Sequence, residues 1–154
     1  MKIYRHLDKS NYDKKSIVTV GTFDGVHRGH RVVINKLHEL KNKFGGRTVI
    51  VTFDPHPRLV LRNRVNEIKL LSTTHERLEV FEQLGVDVVY VLKFTTEFSE
   101  HSAEEFLKEY LVEGIGLEHL VLGFDHSFGK NREGNYESLV KLTGKYNFDL
   151  YKVE

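Results

Sequence analysis

Gly21-Thr22-Phe23-Asp24-Gly25-Val26-His27-Arg28-Gly29-His30 is the stretch on which the fold turns. It follows the short apolar run Ile17 to Val20 and leads into a segment with apolar residues at Val33, Leu37, Leu40 and Phe44, in steps of four, three and four. That pattern spells a strand, a glycine-rich loop and an amphipathic helix. Gly45 and Gly46 stop the helix, and Thr48 to Phe53 is a β-branched run too short for a helix and bounded by Asp54-Pro55, hence a second strand. Further along, residues 75–84 predict a helix ended by Gly85, and Val86 to Leu92 a third strand. Ser102 and Glu105 form a capping box that opens a helix carrying Phe106, Leu107, Tyr110 and Leu111. Leu120 to Phe124, residues 135–146 and Phe148 to Val153 predict a fourth strand, a helix and a fifth strand. Strands with near-continuous apolar runs, alternating with helices, imply an α/β fold: a Rossmann-like three-layer sandwich with a parallel sheet. Ligands of such sheets gather beyond the carboxyl ends of the strands, which directs attention to the loops after Val20, Phe53, Leu92 and Phe124.

The 154 residues suit one domain, and 40% hydrophobic with 29% charged residues is globular composition. No apolar stretch approaches a membrane span, and Met1 to Ser10 lacks the apolar run of a signal peptide. The absence of cysteine excludes disulfide scaffolds, thiol nucleophiles and thiolate metal sites, and fits a cytoplasmic protein. Net charge is only +1, which argues against nucleic acid or an anionic membrane as partner. The distribution is uneven: residues 1–64 hold 14 basic against 5 acidic residues (+9), residues 65–154 hold 9 against 17 (−8). An anionic ligand would favour the first half, although taken alone the asymmetry is better read as two solvated faces that attract one another in the fold. The acidic residues Glu97, Glu100, Glu104, Glu105, Glu109 and Glu113 read as a solvated helix side and its lead-in, and Tyr90, Tyr110 and Tyr151 as core.

The first loop has the chemistry of a phosphate site. Gly21 and Gly25 allow close backbone approach, and a helix start offers unpaired N–H groups and a positive dipole end. His27 and His30, three apart, share one side of the first turn with Gly29 between them. A single histidine at a helix start would be a capping or solvated residue; the ten-residue string is far more specific. The chain has no G-x-G-x-x-G and no Walker-type lysine, and no His-Glu-x-x-His that would favour zinc.

This loop resembles the His-x-Gly-His signature of the nucleotidylyltransferase superfamily, and Phe23-Asp24-Gly25-Val26-His27 is similar to prokaryotic FAD synthetase. Two further loops carry the same resemblance. Thr52-Phe53-Asp54-Pro55-His56-Pro57-Arg58 is similar to that family's Phe-x-Pro-His-Pro element, although two prolines also simply make a rigid turn. Leu122-Gly123-Phe124-Asp125-His126-Ser127-Phe128-Gly129 resembles its Gly-x-Asp/Asn-x-x-Phe-Gly stretch, with Ser127 where many relatives have Arg or Thr. The resemblance implies a nucleotidylyltransferase-type (HxGH) fold that transfers AMP from ATP to FMN, giving FAD and pyrophosphate. It implies His27 and His30 as catalytic residues, and Gly21, Thr22, Phe23, Asp24, Gly25 and Gly29 as the nucleotide-binding loop. The flavin side would be His56, Pro57, Asp125, Ser127 and Phe128. Mg²⁺ is expected with ATP, its protein ligand unassigned, and a riboflavin kinase domain is expected in a full-length parent.

Two departures qualify that implication. The family's Ser-Ser-Thr-x-Ile-Arg motif, which clamps the triphosphate beyond the fifth strand, does not occur before Glu154, and the fifth strand has no following helix to cover it. A FAD synthetase domain truncated at its C-terminus is therefore expected over residues 1–154. The alternatives are another phosphorylated acceptor, such as glycerol phosphate or pantetheine phosphate, and a flavin- or nucleotide-binding module without turnover.

Overall fold

A computed structural model describes residues 1–55, 57, 73–123, 128–130 and 134–153. Six strands form one parallel sheet: β1 (Lys2–Tyr4), β2 (Ser16–Val20), β3 (Arg47–Asp54), β4 (Val88–Lys93), β5 (Leu117–Leu122) and β6 (Asp149–Lys152), in the order β1-β4-β3-β2-β5-β6. Helices α1 (Arg28–Phe44), α2 (Thr74–Gln83), α3 (Ala103–Phe106), α4 (Tyr136–Val140) and α5 (Thr143–Tyr146) cover it, and α3 runs on directly as a π-helix, Leu107–Ile115. The five expected strands are present with shifted ends, and the sixth, β1, is an addition. Only three residues long and carrying an exposed Lys2 and Ile3, β1 has no apolar period to betray it; it forms by pairing with β4. The helix expected over 135–146 is two short ones, because Lys141 and Leu142 make a turn between them.

The sheet divides the core in two. Val18, Val20, Val49, Val51 and Phe53 face α3 and its π-helical extension, where Phe106, Leu107, Leu111 and Ile115 are buried. Ile17, Ile50, Val89 and Val121 face α1 and α2, meeting Val33, Ile34, Leu37, Leu40, Leu78 and Phe81. Strands buried on both sides cannot show polar alternation, which is why they read as continuous apolar runs. Thr19, fully buried, satisfies its hydroxyl by donating to the Val121 carbonyl at 2.8 Å. Tyr90 is in the core as expected, whereas Tyr110 and Tyr151 are half-buried.

The amino ends of the strands are tied together. Asp87 accepts from Lys41 Nζ at 2.8 Å and from the Thr48 amide at 2.9 Å, joining α1, β3 and the entry to β4. Arg47 donates to Ser16 Oγ and to the Asn11 carbonyl at 2.9 and 2.8 Å. The opposite ends hold the site. From β2 the chain steps outward to β3 and β4, then returns to the other side of β2 to place β5, so the strand order reverses between β2 and β5. The signature loop leaves β2 at that reversal, the position where open α/β sheets bind ligands.

Candidate functional site

Gly21 extends the strand pairing, its amide donating to the Val51 carbonyl at 2.9 Å, and the Thr22 carbonyl accepts from Thr52 Oγ1 at 3.2 Å. The chain then turns through three residues of positive φ: Phe23 (54°), Gly25 (80°) and Val26 (41°). For Phe and the β-branched Val this is a costly conformation, of order 1–3 kcal/mol each, and it persists because both side chains are buried in the core. Phe23 meets Phe81 of α2 edge-on at 5.7 Å and lies under the His30 ring at 4.9 Å. Its ring therefore supports the loop from the core side, while Asp24 and Gly25 form the short 3-10 turn above it.

His27 and His30 close a reciprocal cap at the start of α1. His27 is the N-cap, its Nδ1 accepting from the Gly29 amide at 3.1 Å; His30 Nδ1 accepts from the His27 amide, also at 3.1 Å. Their rings stack with centroids 3.6 Å apart. An imidazole whose Nδ1 accepts an N–H carries its own proton on Nε2. Both rings are thus fixed as Nε2–H donors, next to the amides of a helix start, an arrangement that can hold a phosphate and stabilise charge developing on it. Gly29 suits this geometry: a Cβ there would lie 3.1 Å from His27 Cε1, and the ring would have to give by a few tenths of an ångström.

At the carboxyl ends of β3 and β4, Phe53 contacts Phe94 and Phe98, each at 5.6 Å. Phe128 is buried with its ring 5.3 Å from Phe106, and its amide and carbonyl pair with those of Gly134. Gly129, at φ 83°, passes so close to α3 that a Cβ would come within 2.7 Å of Ala103. Pro57 is half-buried; His56, Asp125 and Ser127 lie outside the described residues. The structure thus brings together the residues from Gly21 to His30 and places Phe128 in the aromatic cluster on the other face of the sheet.

One residue was missed by the sequence reading. Arg77, 2% exposed in the first turns of α2, donates through Nη2 to the Phe53 carbonyl at 3.4 Å and to Thr74 Oγ1 at 3.3 Å. Burial pulls its pKa below the ordinary arginine value, against the opposing pull of Asp24 and Asp54. No local signal marks it, since an arginine in an amphipathic helix ordinarily reads as solvated.

The class these features define is a Rossmann-like α/β domain with a two-histidine helix cap at its topological switch point. Solved structures share the fold. A macrolide-efflux protein from Streptococcus pneumoniae superposes with a TM-score of 0.79 at 22% identity, covering 99% of this chain and 51% of that one. A pantoate-beta-alanine ligase from Francisella tularensis does so with a TM-score of 0.56 at 14% identity, covering 99% and 66%. In sequence, residues 9–154 match the FAD synthetase family model, and the chain belongs to that family. It is 43% identical over 129 residues to a bifunctional riboflavin kinase/FMN adenylyltransferase of Listeria monocytogenes (84% of this chain, 41% of the relative). It is 35% identical over 141 residues to the Bacillus subtilis protein of the same name (91% and 44%). The chain spans less than half the length of these relatives.

Proposed function

We propose that this chain transfers AMP from ATP to FMN, forming FAD and releasing pyrophosphate. An FMN phosphate oxygen attacks the α-phosphorus of ATP, the bond from that phosphorus to the bridging oxygen breaks, and the electron pair leaves with pyrophosphate. A phosphate monoester, with a second pKa of about 6, is already largely ionised at neutral pH, so no protein nucleophile or strong base is needed. Positioning and charge stabilisation carry the reaction.

The observation that carries this reading is the reciprocal His27–His30 cap, which fixes two Nε2–H donors at a helix start. These donors, at the positive end of the α1 dipole, hold the phosphates and oppose the charge that builds on the α-phosphoryl and leaving groups. Among the described residues no group of three or more His, Asp or Glu side chains is arranged to hold a metal ion. On the family resemblance Mg²⁺ is proposed to arrive with ATP, and no step is assigned to it. Family membership supports FMN as the acceptor over glycerol phosphate or pantetheine phosphate. The flavin side is assigned to His56, Pro57, Asp125, Ser127 and Phe128, of which Phe128 is buried in the aromatic cluster. A riboflavin kinase domain in a full-length parent and a cytoplasmic location belong to the same proposal; among the described residues no helix is long and apolar enough to cross a membrane.

The test is FAD formation, followed by chromatography, from FMN, ATP and Mg²⁺ with this chain and with His30→Ala. FAD from the parent chain and a loss of about 10²–10³ in rate for the variant are expected. Saturable FMN binding without product would establish instead a binding module without turnover, and equal rates for the two chains would remove His30 from the mechanism.

A further inference from the structure

Among the described residues, Arg77 is the only Lys, Arg, Asp or Glu that the fold buries. The position is unfavourable for a cation on two counts. It is removed from water, and it lies near the amino end of α2, where the helix dipole is itself positive. Its two hydrogen bonds are long, and its Nε finds no acceptor among the described residues. A methionine would fill the same space without these costs, so what the position supplies is the charge.

Helix α2 packs against the 3-10 turn that Asp24 opens, and Arg77 reaches the carbonyl of Phe53, next to Asp54 at the end of β3; both carboxylates lie close enough for their fields to act on the guanidinium. A carboxylate in a loop that grips a polyphosphate repels its own ligand. The same helix also props the loop mechanically: Phe81, one turn beyond Arg77, meets Phe23, on which His30 rests.

We infer that Arg77 is a positioning residue for nucleotide binding: from beneath the signature loop it offsets the charge of Asp24 and anchors the carboxyl end of β3, allowing the loop to accept a polyphosphate. This rests on the ATP-binding part of the function proposed above.

The experiment measures ATP binding calorimetrically, without FMN, in the wild-type chain, Arg77→Met, Arg77→Lys, Asp24→Asn and the Asp24→Asn/Arg77→Met double variant, with thermal melts as a folding control. Arg77→Met should weaken ATP binding about tenfold and raise KM for ATP with kcat changed no more than about threefold. Arg77→Lys, which keeps the charge, should bind within about threefold of wild type, and in the Asp24→Asn background the loss caused by Arg77→Met should shrink to about twofold. Wild-type affinity in Arg77→Met would overturn the inference. So would equal losses in the Met and Lys variants when both melt like wild type, or an undiminished loss in the Asp24→Asn background. Should Arg77→Met not fold, Arg77→Gln replaces it with the same expectation, a loss of about tenfold in ATP binding that shrinks to about twofold in the Asp24→Asn background; wild-type affinity in Arg77→Gln would overturn the inference. A wild-type chain that bound ATP but made no FAD would refute the proposed reaction and leave this inference standing; one that bound no ATP would refute both.

Discussion

Replacing His27 with asparagine separates the two tasks its ring performs. Through Nδ1 the ring accepts the Gly29 amide at 3.1 Å and caps α1; in the proposed reaction its Nε2 donates to phosphate. Alanine removes both. Loss of a side-chain N-cap costs about 1 kcal/mol, which in a domain of this length lowers Tm by roughly 2–4 °C. Loss of one preorganised donor to a reacting phosphate costs about 10²–10³ in rate. Asparagine is among the best N-caps and its carbonyl oxygen can take over from Nδ1, but its shorter side chain cannot reach where Nε2 stood. His27→Asn should therefore melt within about 1 °C of wild type while losing as much FAD-forming rate as His27→Ala, which alone should melt lower. Paired thermal melts and chromatographic rate assays decide. If His27→Asn kept wild-type turnover, the Nε2 donor would not be part of the mechanism; if His27→Ala melted like wild type, the cap would not be what holds the ring.

Two other substitutions probe the framework. Gly29→Ala introduces a better helix former but sets a Cβ 3.1 Å from His27 Cε1, so the ring must shift. Its Tm should be unchanged or higher while the FAD-forming rate falls at least about tenfold, and wild-type activity would show that the ring tolerates displacement. At the other end of the sheet, burial raises the pKa of Asp87, but Lys41 and the amide and hydroxyl of Thr48 outweigh it and hold the pKa below the ordinary carboxylate value. A group with its folded-state pKa depressed stabilises fully above the unfolded pKa, near 4, and its contribution fades as pH falls through the folded value. Asp87→Asn should thus cost about 1–2 kcal/mol at pH 7 and progressively less below pH 4, as read from urea midpoints across pH; a cost independent of pH would refute the charge's part in it.

Much of the site was legible because it is local. That two histidines three residues apart share one side of the first helical turn follows from helix geometry alone, and the structure stacks their rings there; that they also cap α1 reciprocally is visible only in the structure. Phe23, by contrast, was read as part of the nucleotide loop, and its ring proves to face the core beneath His30, because a positive φ at that residue turns the side chain inward. Phe44 was expected on the apolar side of α1; it stacks on His119 of β5 at 4.7 Å but keeps 42% of its surface exposed.

What the sequence determined by itself was the succession of strands and helices and the glycine-rich turn that leads from β2 into α1, since apolar period, glycine turns and caps act between residues a few positions apart. Tertiary structure alone decided the strand order, and with it the reversal between β2 and β5 that sets the loop at a binding crevice. It also decided the existence of β1 and the burial of Arg77. A three-residue strand is stabilised by its neighbour rather than by its own residues, and whether an arginine is solvated or enclosed depends on what the sheet places against it, which no window of sequence contains.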